Sequence, residues 1–570
     1  MRHASGIVMK NTLTSNRNAT RRGTVLILVL IVVAALTLGA YTFSELMISE
    51  IEATSMYGRQ AESRAFAESG LELAAATIGA PESSNDEFSY NNPERFQAQL
   101  MREGETERGQ GYFAVVAAVE SGSGKGGIRF GLMDESGRIN LNAIVAMEMG
   151  DEDTRNMLMY LPNMTEELAD AILDYIDEDT SIREFGVEND YYLDQDPPHT
   201  AKDRPLESLE ELLLVAGVVP ELLYGEDANR NGLLDPNEND GDASMPLDDA
   251  DGILNPGWVA YLTVDAKELN TRLDGSEKIN VNDGVLTDLY DALFDEFDED
   301  IARFVVAFRL NGPYEPLFTD EDSDLIAAID SATTGATLSD AEAETANAEA
   351  VNRATQGIVS DIAEGVANAV AGGGGAVTRD GMDLSKGANH DLVSIYEMIG
   401  AQVEIEIDGQ VLLLDSPWSA NSGDMESYLP DILDRLTALD ESSIPGRINV
   451  NQARLETLLG IPNMTESAAV AISQASMMDD TSPIRATAGW MLSQGIVDIP
   501  TMVTLDRFVT GRGQVYRAQV LGYFGEGGGY TRLEATIDAT EYPAKILSVS
   551  DLTEIGRGYT SEQLSGASSN

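Results

Sequence analysis

An uncharged run opens the pattern of hydrophobic and polar positions. From Thr24 to Phe43 the chain reads TVLILVLIVVAALTLGAYTF, and at 1.5 Å per residue this run makes a helix of about 30 Å, the hydrocarbon thickness of a bilayer. No proline interrupts Ser44 to Ile78, and Ala67, Leu71, Ala74 and Ile78 recur on one helical face. Span (24–43) and stem (44–80) are therefore expected to form one rod ending near Gly79-Ala80-Pro81. Ala61, Ala65, Ser69, Gly70, Ala75 and Ala76 keep the rod thin and suit it to close packing.

Strand patterns stand at both ends of the body. Gly111 to Val119 and Ile128 to Met133, around a Gly/Ser turn at Ser121 to Gly127, predict a hairpin within 111–136. Gln514 to Gly522 and Tyr530 to Ile537, within 511–547, predict two more strands that join the first pair in one sheet. Ser548 to Asn570 reads as a disordered tail.

Between these ends a phrase repeats. Arg138-Ile139-Asn140-Leu141-Asn142 returns as Lys278-Ile279-Asn280-Val281-Asn282 and as Arg447-Ile448-Asn449-Val450-Asn451, each ahead of a helical stretch that its second Asn is expected to cap. Leu161 to Glu166 is matched by Ile461 to Glu466, where Thr165 and Thr465 predict helix caps. Three modules are expected, over 137–265, 266–318 and 391–510, with an Ala/Gly-rich insertion at 319–390 that includes a weak helix over Ser339 to Asn368. Helix, short Pro-Asn turn, helix is the outline of a helix-hairpin-helix or SAM-like bundle. DNA-binding hairpins use glycine turns that bring N–H groups to phosphate, whereas these turns are Pro-Asn-Met, so protein contact or core packing is the expected role. The fold class that follows is α+β: a long N-terminal transmembrane and stem helix, an α/β head and inserted all-α modules.

Charge sets the orientation. Arg2, Lys10, Arg17, Arg21 and Arg22 precede Thr24 with no acid among them, which puts the N-terminus in the cytoplasm and the body outside. A removable signal peptide, cut near Leu38-Gly39-Ala40, is the alternative, although such apolar cores run to only about 7–15 residues. The formal net charge is −61, from 36 Lys+Arg against 97 Asp+Glu, so the body repels nucleic acid and anionic membranes and attracts cations. The chain has no cysteine, which excludes disulfides, thiolate metal sites and cysteine nucleophiles. Its histidines, His3, His199 and His390, sit in no spacing that pairs a nucleophile with a base, and no enzyme is expected.

One stretch carries metal chemistry. Asp227-Ala228-Asn229-Arg230-Asn231-Gly232-Leu233-Leu234-Asp235-Pro236-Asn237-Glu238 matches a twelve-residue calcium loop. Asp227, Asn229, Asn231 and Asp235 offer side-chain oxygens, Leu233 a carbonyl and Glu238 a bidentate carboxylate, while Gly232 permits the sharp turn. Hard oxygen donors without His or Cys suit calcium; a solvated acidic turn is the alternative. Gly241 and Pro246 deny Glu238 a following helix, so a structural clamp is expected rather than an opening sensor. Asp240, Asp242, Asp248, Asp249 and Asp251 are candidates for a second cation site.

The basic leader (1–23), Gly23, the apolar run and the thin helix together resemble the N-terminus of type IV pilins and type II secretion pseudopilins. The resemblance implies a prepilin peptidase that cuts after Gly23 and leaves Thr24 as the N-methylated first residue. Most members carry glutamate at the fifth mature position, where this chain has Leu28. A carboxylate in lipid is costly unless it meets a cation, which in these filaments is the terminal amine of the subunit above. Leu28 thus points to a subunit with nothing above it; the alternative is one more apolar residue of an anchor. Gly137 to Asn142, Asp170 to Asp179, Gly186 to Tyr192 and Pro205 to Leu212 are similar to the protein K family of type II secretion minor pseudopilins, over about 24–320 and more weakly from 446 on. That likeness implies a pilin-like head, calcium-stabilised loops, an inner-membrane anchor with a periplasmic body, and a structural role at the pseudopilus tip in the export of folded proteins. Implied partners are other minor pseudopilins, through the N-terminal helix and head, the prepilin peptidase and the inner-membrane platform, with secreted substrates and the outer-membrane channel as further candidates and no nucleic acid. A minor pilin of a type IV pilus or DNA-uptake filament, and a membrane-anchored calcium-dependent binding module, are the other functions this sequence admits.

Overall fold

In the computed structural model the apolar run and the stem form one helix, Thr20–Ile78, of 59 residues, about 90 Å long at 1.5 Å per residue. Described are residues 20–78, 90–119, 127–147, 149–314, 377–407, 409–476, 483–525 and 528–565. The leader before Thr20, the stem's end at Gly79 to Pro81, most of the turn at Ser121 to Gly127 and the larger part of the 319–390 insertion, Ser339 to Asn368 included, lie outside these residues.

Every residue from Val25 to Glu52 is exposed, and the helix has the length and composition to cross a membrane. Its C-terminal part differs. Ala67, Leu71, Ala74 and Ile78 are buried, as their spacing predicts. They lie against a seven-stranded sheet whose main path runs Gln99–Arg102, Gly111–Ala118, Val515–Phe524, Tyr530–Asp538, Lys545–Asp551. Neighbours on this path are antiparallel, and Val115 stands opposite Val520, so strands from both ends of the body share one sheet. Small residues bring helix and sheet together. A Cβ on Gly522 would lie 2.0 Å from the Ser63 carbonyl oxygen, and one on Gly70 would lie 2.7 Å from both Phe113 and Val520. Gly522→Ala is accordingly expected to cost about 1–3 kcal/mol in urea unfolding, as overpacking does; a change below about 0.5 kcal/mol, ordinary for surface sites, would contradict this docking.

Two expectations about the head are corrected. The predicted strand Ile128 to Met133 divides: Ile128–Arg129 pairs with Ala117 and Ala118, whereas Met133–Asp134 crosses to Tyr516 and Arg517. Ser548 to Asn570 is no loose tail as far as Ser565, the last described residue. Lys545–Asp551 is the sheet's edge strand, and Tyr559 and Leu564 are 4% and 0% exposed. Their burial in the head core supplies the apolar contact that a Ser-, Thr- and Gly-rich composition hides.

The repeated phrase opens a repeated bracket. Ile139–Asn140 pairs in parallel with Leu262–Thr263, Ile279–Asn280 with Leu436–Thr437, and Ile448–Asn449 with Val509–Thr510. The second Asn of each phrase does not cap a helix. Helix Leu141–Ala146 is capped by Asn140, and the helices after the other two phrases start at Leu286 and Leu455. Instead its amide ties the middle of the bracket to the end. Asn142 donates to the carbonyls of Leu206 and Val264, Asn282 to those of Leu392 and Ala438, and Asn451 to those of Arg485 and Gly511. Leu206 and Leu392 return an N–H to the same side chain. A short polar side chain with both donor and acceptor is required there, which is why asparagine recurs.

These pairings redraw the second and third modules. Residues 391–438 close the bracket begun at Ile279, the one that holds helices Leu286–Glu296 and Glu299–Asn311. They also pack against 483–505, as where helix Ser422–Arg435 meets Trp490–Ser493. Within 377–438 the second bracket also holds a four-stranded sheet, Thr378–Arg379, Met382–Asp383, Gln402–Ile407 and Gln410–Asp415, so it is not all-α. Thr165 and Thr465 accept the N–H of Leu168 and Ala468, capping helices Glu166–Ile176 and Glu466–Ser476. Asn163 and Asn463 take φ of 58° and 64° in the matching turns, a left-handed conformation that asparagine tolerates better than most residues. One continuous apolar core runs through the three brackets, and a separate one lies between stem and sheet.

Candidate functional site

The loop from Asp227 to Glu238 lies where the first bracket meets the head. Asp227 accepts the N–H of Asn231 at 3.0 Å through Oδ1 and that of Gly232 at 2.9 Å through Oδ2. Asn229 Oδ1 accepts the N–H of Asn231 at 3.0 Å, and Asn231 Oδ1 that of Leu233 at 2.6 Å. Glu238 closes the ring, accepting from Ala228 at 3.1 Å and from Asp235 at 3.0 Å. Gly232 has φ of +70°, the turn expected of it, and a Cβ there would strike Ala118 of the head at 2.5 Å.

Among the described residues no ion pair is formed by the carboxylates of this ring, and the positive charge acting on Asp227 is that of the buried Arg532 guanidinium. Asp227 and Glu238 are 7% and 1% exposed. Burial, with the Asp227 and Asp235 charges beside it, pushes Glu238 up to about 7 despite the N–H of Asp235 and Ala228. Burial likewise raises Asp227 above the usual carboxylate range, against the pull of the Gly232 and Asn231 N–H groups. Asp235 Oδ2 faces Nδ2 of Asn229 at 2.6 Å and of Asn231 at 3.0 Å. Among the described residues no three His, Cys, Asp or Glu side chains already stand as a ligand group. The ring is nonetheless rich in oxygen and free of His and Cys, and that donor set fits a hard divalent cation.

The loop's backbone is held from the head by residues whose role no motif announced. Arg532, fully buried, donates to the carbonyls of Asn229 at 2.6 Å and of Arg230. Gln519 donates to Arg230 O at 2.9 Å, and Tyr559 to Asn231 O at 3.1 Å. Asn231 Nδ2 reaches Gly558 O at 2.7 Å. Alternation gave no hint of them, for Arg532 falls on the face of Glu534 and Thr536 and Gln519 on that of Arg517.

A second junction was also missed. Glu135 is 1% exposed and meets Arg138 at 2.6 Å, Arg517 at 2.7 Å and the Thr263 hydroxyl at 2.5 Å. Burial would raise its pKa, but the two guanidiniums and the hydroxyl prevail and hold it below the usual range. One carboxylate thus joins the start of the first bracket, its closing strand and the central strand of the head.

The remaining predicted residues are dispersed. Asp248 accepts the N–H of Asp240 and Gly241, Asp240 that of Ser244, Asp249 that of Asp251, and Asp251 that of Ile253. Each of these carboxylates serves its own turn, Asp242 is exposed, and the five are not gathered around a centre. Leu28 is 64% exposed on the apolar run, while Gly23 and Thr24 lie near the helix start.

A bare apolar helix that runs on into the core of a mixed helix-and-sheet head is compatible with a single-pass membrane anchor. Residues 137–224, the first part of the first bracket, match the family model described as Type II secretion system (T2SS), protein K. That segment of the chain is thus similar to the protein K domain of the type II secretion system. The chain is also similar to one in the crystal structure of the GspK-GspI-GspJ complex from the enterotoxigenic Escherichia coli type 2 secretion system, with 10% identity and a TM-score of 0.34 over 88% of this chain and 99% of that one. Comparison with curated proteins returned no match.

Proposed function

We propose that the chain is a structural, non-catalytic subunit at the tip of the periplasmic pseudopilus and takes part in the export of folded proteins across the outer membrane. The observation that carries this reading is Leu28: the anchor from Thr24 to Phe43 holds no acid, so it offers no counter-charge to the terminal amine of a subunit above. The basic residues before Thr24 favour a cytoplasmic N-terminus and a periplasmic body. Prepilin peptidase cuts after Gly23, Thr24 becomes the methylated first residue, and the exposed rod packs in the inner membrane and filament against other minor pseudopilins. Proteins of the class named in the GspK-GspI-GspJ complex are the partners in this reading. The inner-membrane platform, secreted substrates and the outer-membrane channel are the further partners of this reading.

The Asp227 to Glu238 loop binds calcium in this proposal. Asp227, Asp235 and Glu238 supply charge, Asn229 and Asn231 amide oxygens, and Leu233 its carbonyl. Bound calcium neutralises buried carboxylates and clamps the loop on Arg532, Gln519 and Tyr559. The chain has no native cysteine, so single introduced cysteines test the tip directly. Crosslinks from the distal face of the head should capture no pseudopilin, and those from the stem should capture minor ones; a distal pseudopilin adduct, or a mature N-terminus other than Thr24, overturns the reading.

A further inference from the structure

Exposed sheet edges invite pairing with other chains, and proteins blunt them with bulges, lysine or proline. Both edges of the head sheet follow that rule. Gln99–Arg102 shifts register between Leu100 and Arg102, and Lys545–Asp551 pairs across a shift between Thr536 and Ile537; each also carries a cation, Arg102 or Lys545. Gln410–Asp415, which ends the sheet of the second bracket, does not. It pairs with Gln402–Ile407 through six successive positions without a shift, and its sequence QVLLLD has neither a basic residue nor proline.

The two faces of this ribbon differ. Residues directly opposite share a face, so Val403 and Ile405, 0% and 5% exposed, lie on the core-facing side with Leu414, half-buried, and Leu412, which at the open edge is still 42% exposed. On the other face Val411 and Leu413, 65% and 48% exposed, stand opposite Glu406 and Glu404, with Asp415 beyond them. Among the described residues no strand pairs with the outer side of Gln410–Asp415.

We propose that the open edge of Gln410–Asp415 is a strand-addition site for an extended segment of a partner protein in which aliphatic residues alternate with lysine or arginine. The free backbone groups supply the ladder, as in other cases of strand addition. Aliphatic side chains on one face cover Leu412 and Leu414. Basic side chains on the other lay their methylenes over Val411 and Leu413 and carry their charge to Glu404, Glu406 and Asp415. A second copy of this chain is a poor occupant, because self-pairing would bring acid to acid on a body of net charge −61.

The test uses the full chain in detergent and a fluorescent peptide of alternating valine and lysine. Binding should protect the 410–415 amides from hydrogen exchange. Affinity should fall at least about tenfold for the Val411→Lys/Leu413→Lys variant, which changes only exposed positions. It should fall as far for the same peptide with alternate backbone amides methylated, which keeps the charge and loses the ladder. Equal binding by the methylated peptide reduces the interaction to bulk charge and overturns the proposal. So does full protection of 410–415 before peptide is added, whether the chain's own residues or a second copy, detected by sedimentation, covers the edge.

Discussion

Calcium is expected to raise the melting temperature of the wild-type chain, and Glu238→Gln to remove most of that rise. Free calcium at a hundred times its dissociation constant stabilises by about 2.7 kcal/mol, which for domains of this size is about 5–10 °C. The effect is large because the loop is a joint. Glu238 closes the ring onto Ala228 and Asp235, and the backbone between is gripped by Arg532, Gln519 and Tyr559. In chelator the variant should lose only about 1 kcal/mol, one backbone N–H being left without its acceptor. Calorimetry with calcium and with chelator distinguishes the cases; a wild type indifferent to calcium would make the ring an ordinary acidic turn.

Glu135→Ala should be the most damaging single substitution outside the apolar cores. It leaves Arg138 and Arg517 buried without their carboxylate, and breaking a buried pair from one side costs about 3–5 kcal/mol. The pH dependence has a definite sign. The folded pKa of Glu135 is depressed, so its contribution is complete above the ordinary carboxylate range and is lost as pH falls through the folded value. The gap between wild type and variant in urea unfolding should hold through neutral pH and shrink only in acid. A loss below about 1 kcal/mol at pH 7 would be typical of an exposed pair and would contradict this role.

Periodic features were legible in the sequence, and isolated ones were not. The face Ala67, Leu71, Ala74, Ile78 declares itself because a helix repeats every 3.6 residues, and Thr165 and Thr465 because a cap is local chemistry. In the Asp227 to Glu238 stretch the turn at Gly232 was legible for the same reason, its place being set by fixed spacing. Ile279–Asn280 and Leu436–Thr437 form two-residue strands with no period to detect, and their partnership spans a long insertion. The division of the second and third modules failed there. Asn142, Asn282 and Asn451 were seen as a repeat but misread as caps, because the carbonyls they bridge are remote in sequence. Glu135, Arg517 and Arg532 were invisible for a similar reason: in a chain with 97 acids, only the fold tells which carboxylate is buried.

The parallel pairs that open and close each bracket bring its first and last residues side by side. A unit whose ends meet can be dropped from a chain, or multiplied within it, while the path before and after stays in place. Tandem growth of this kind enlarges the body, while the apolar rod and the sheet docked on it keep one geometry.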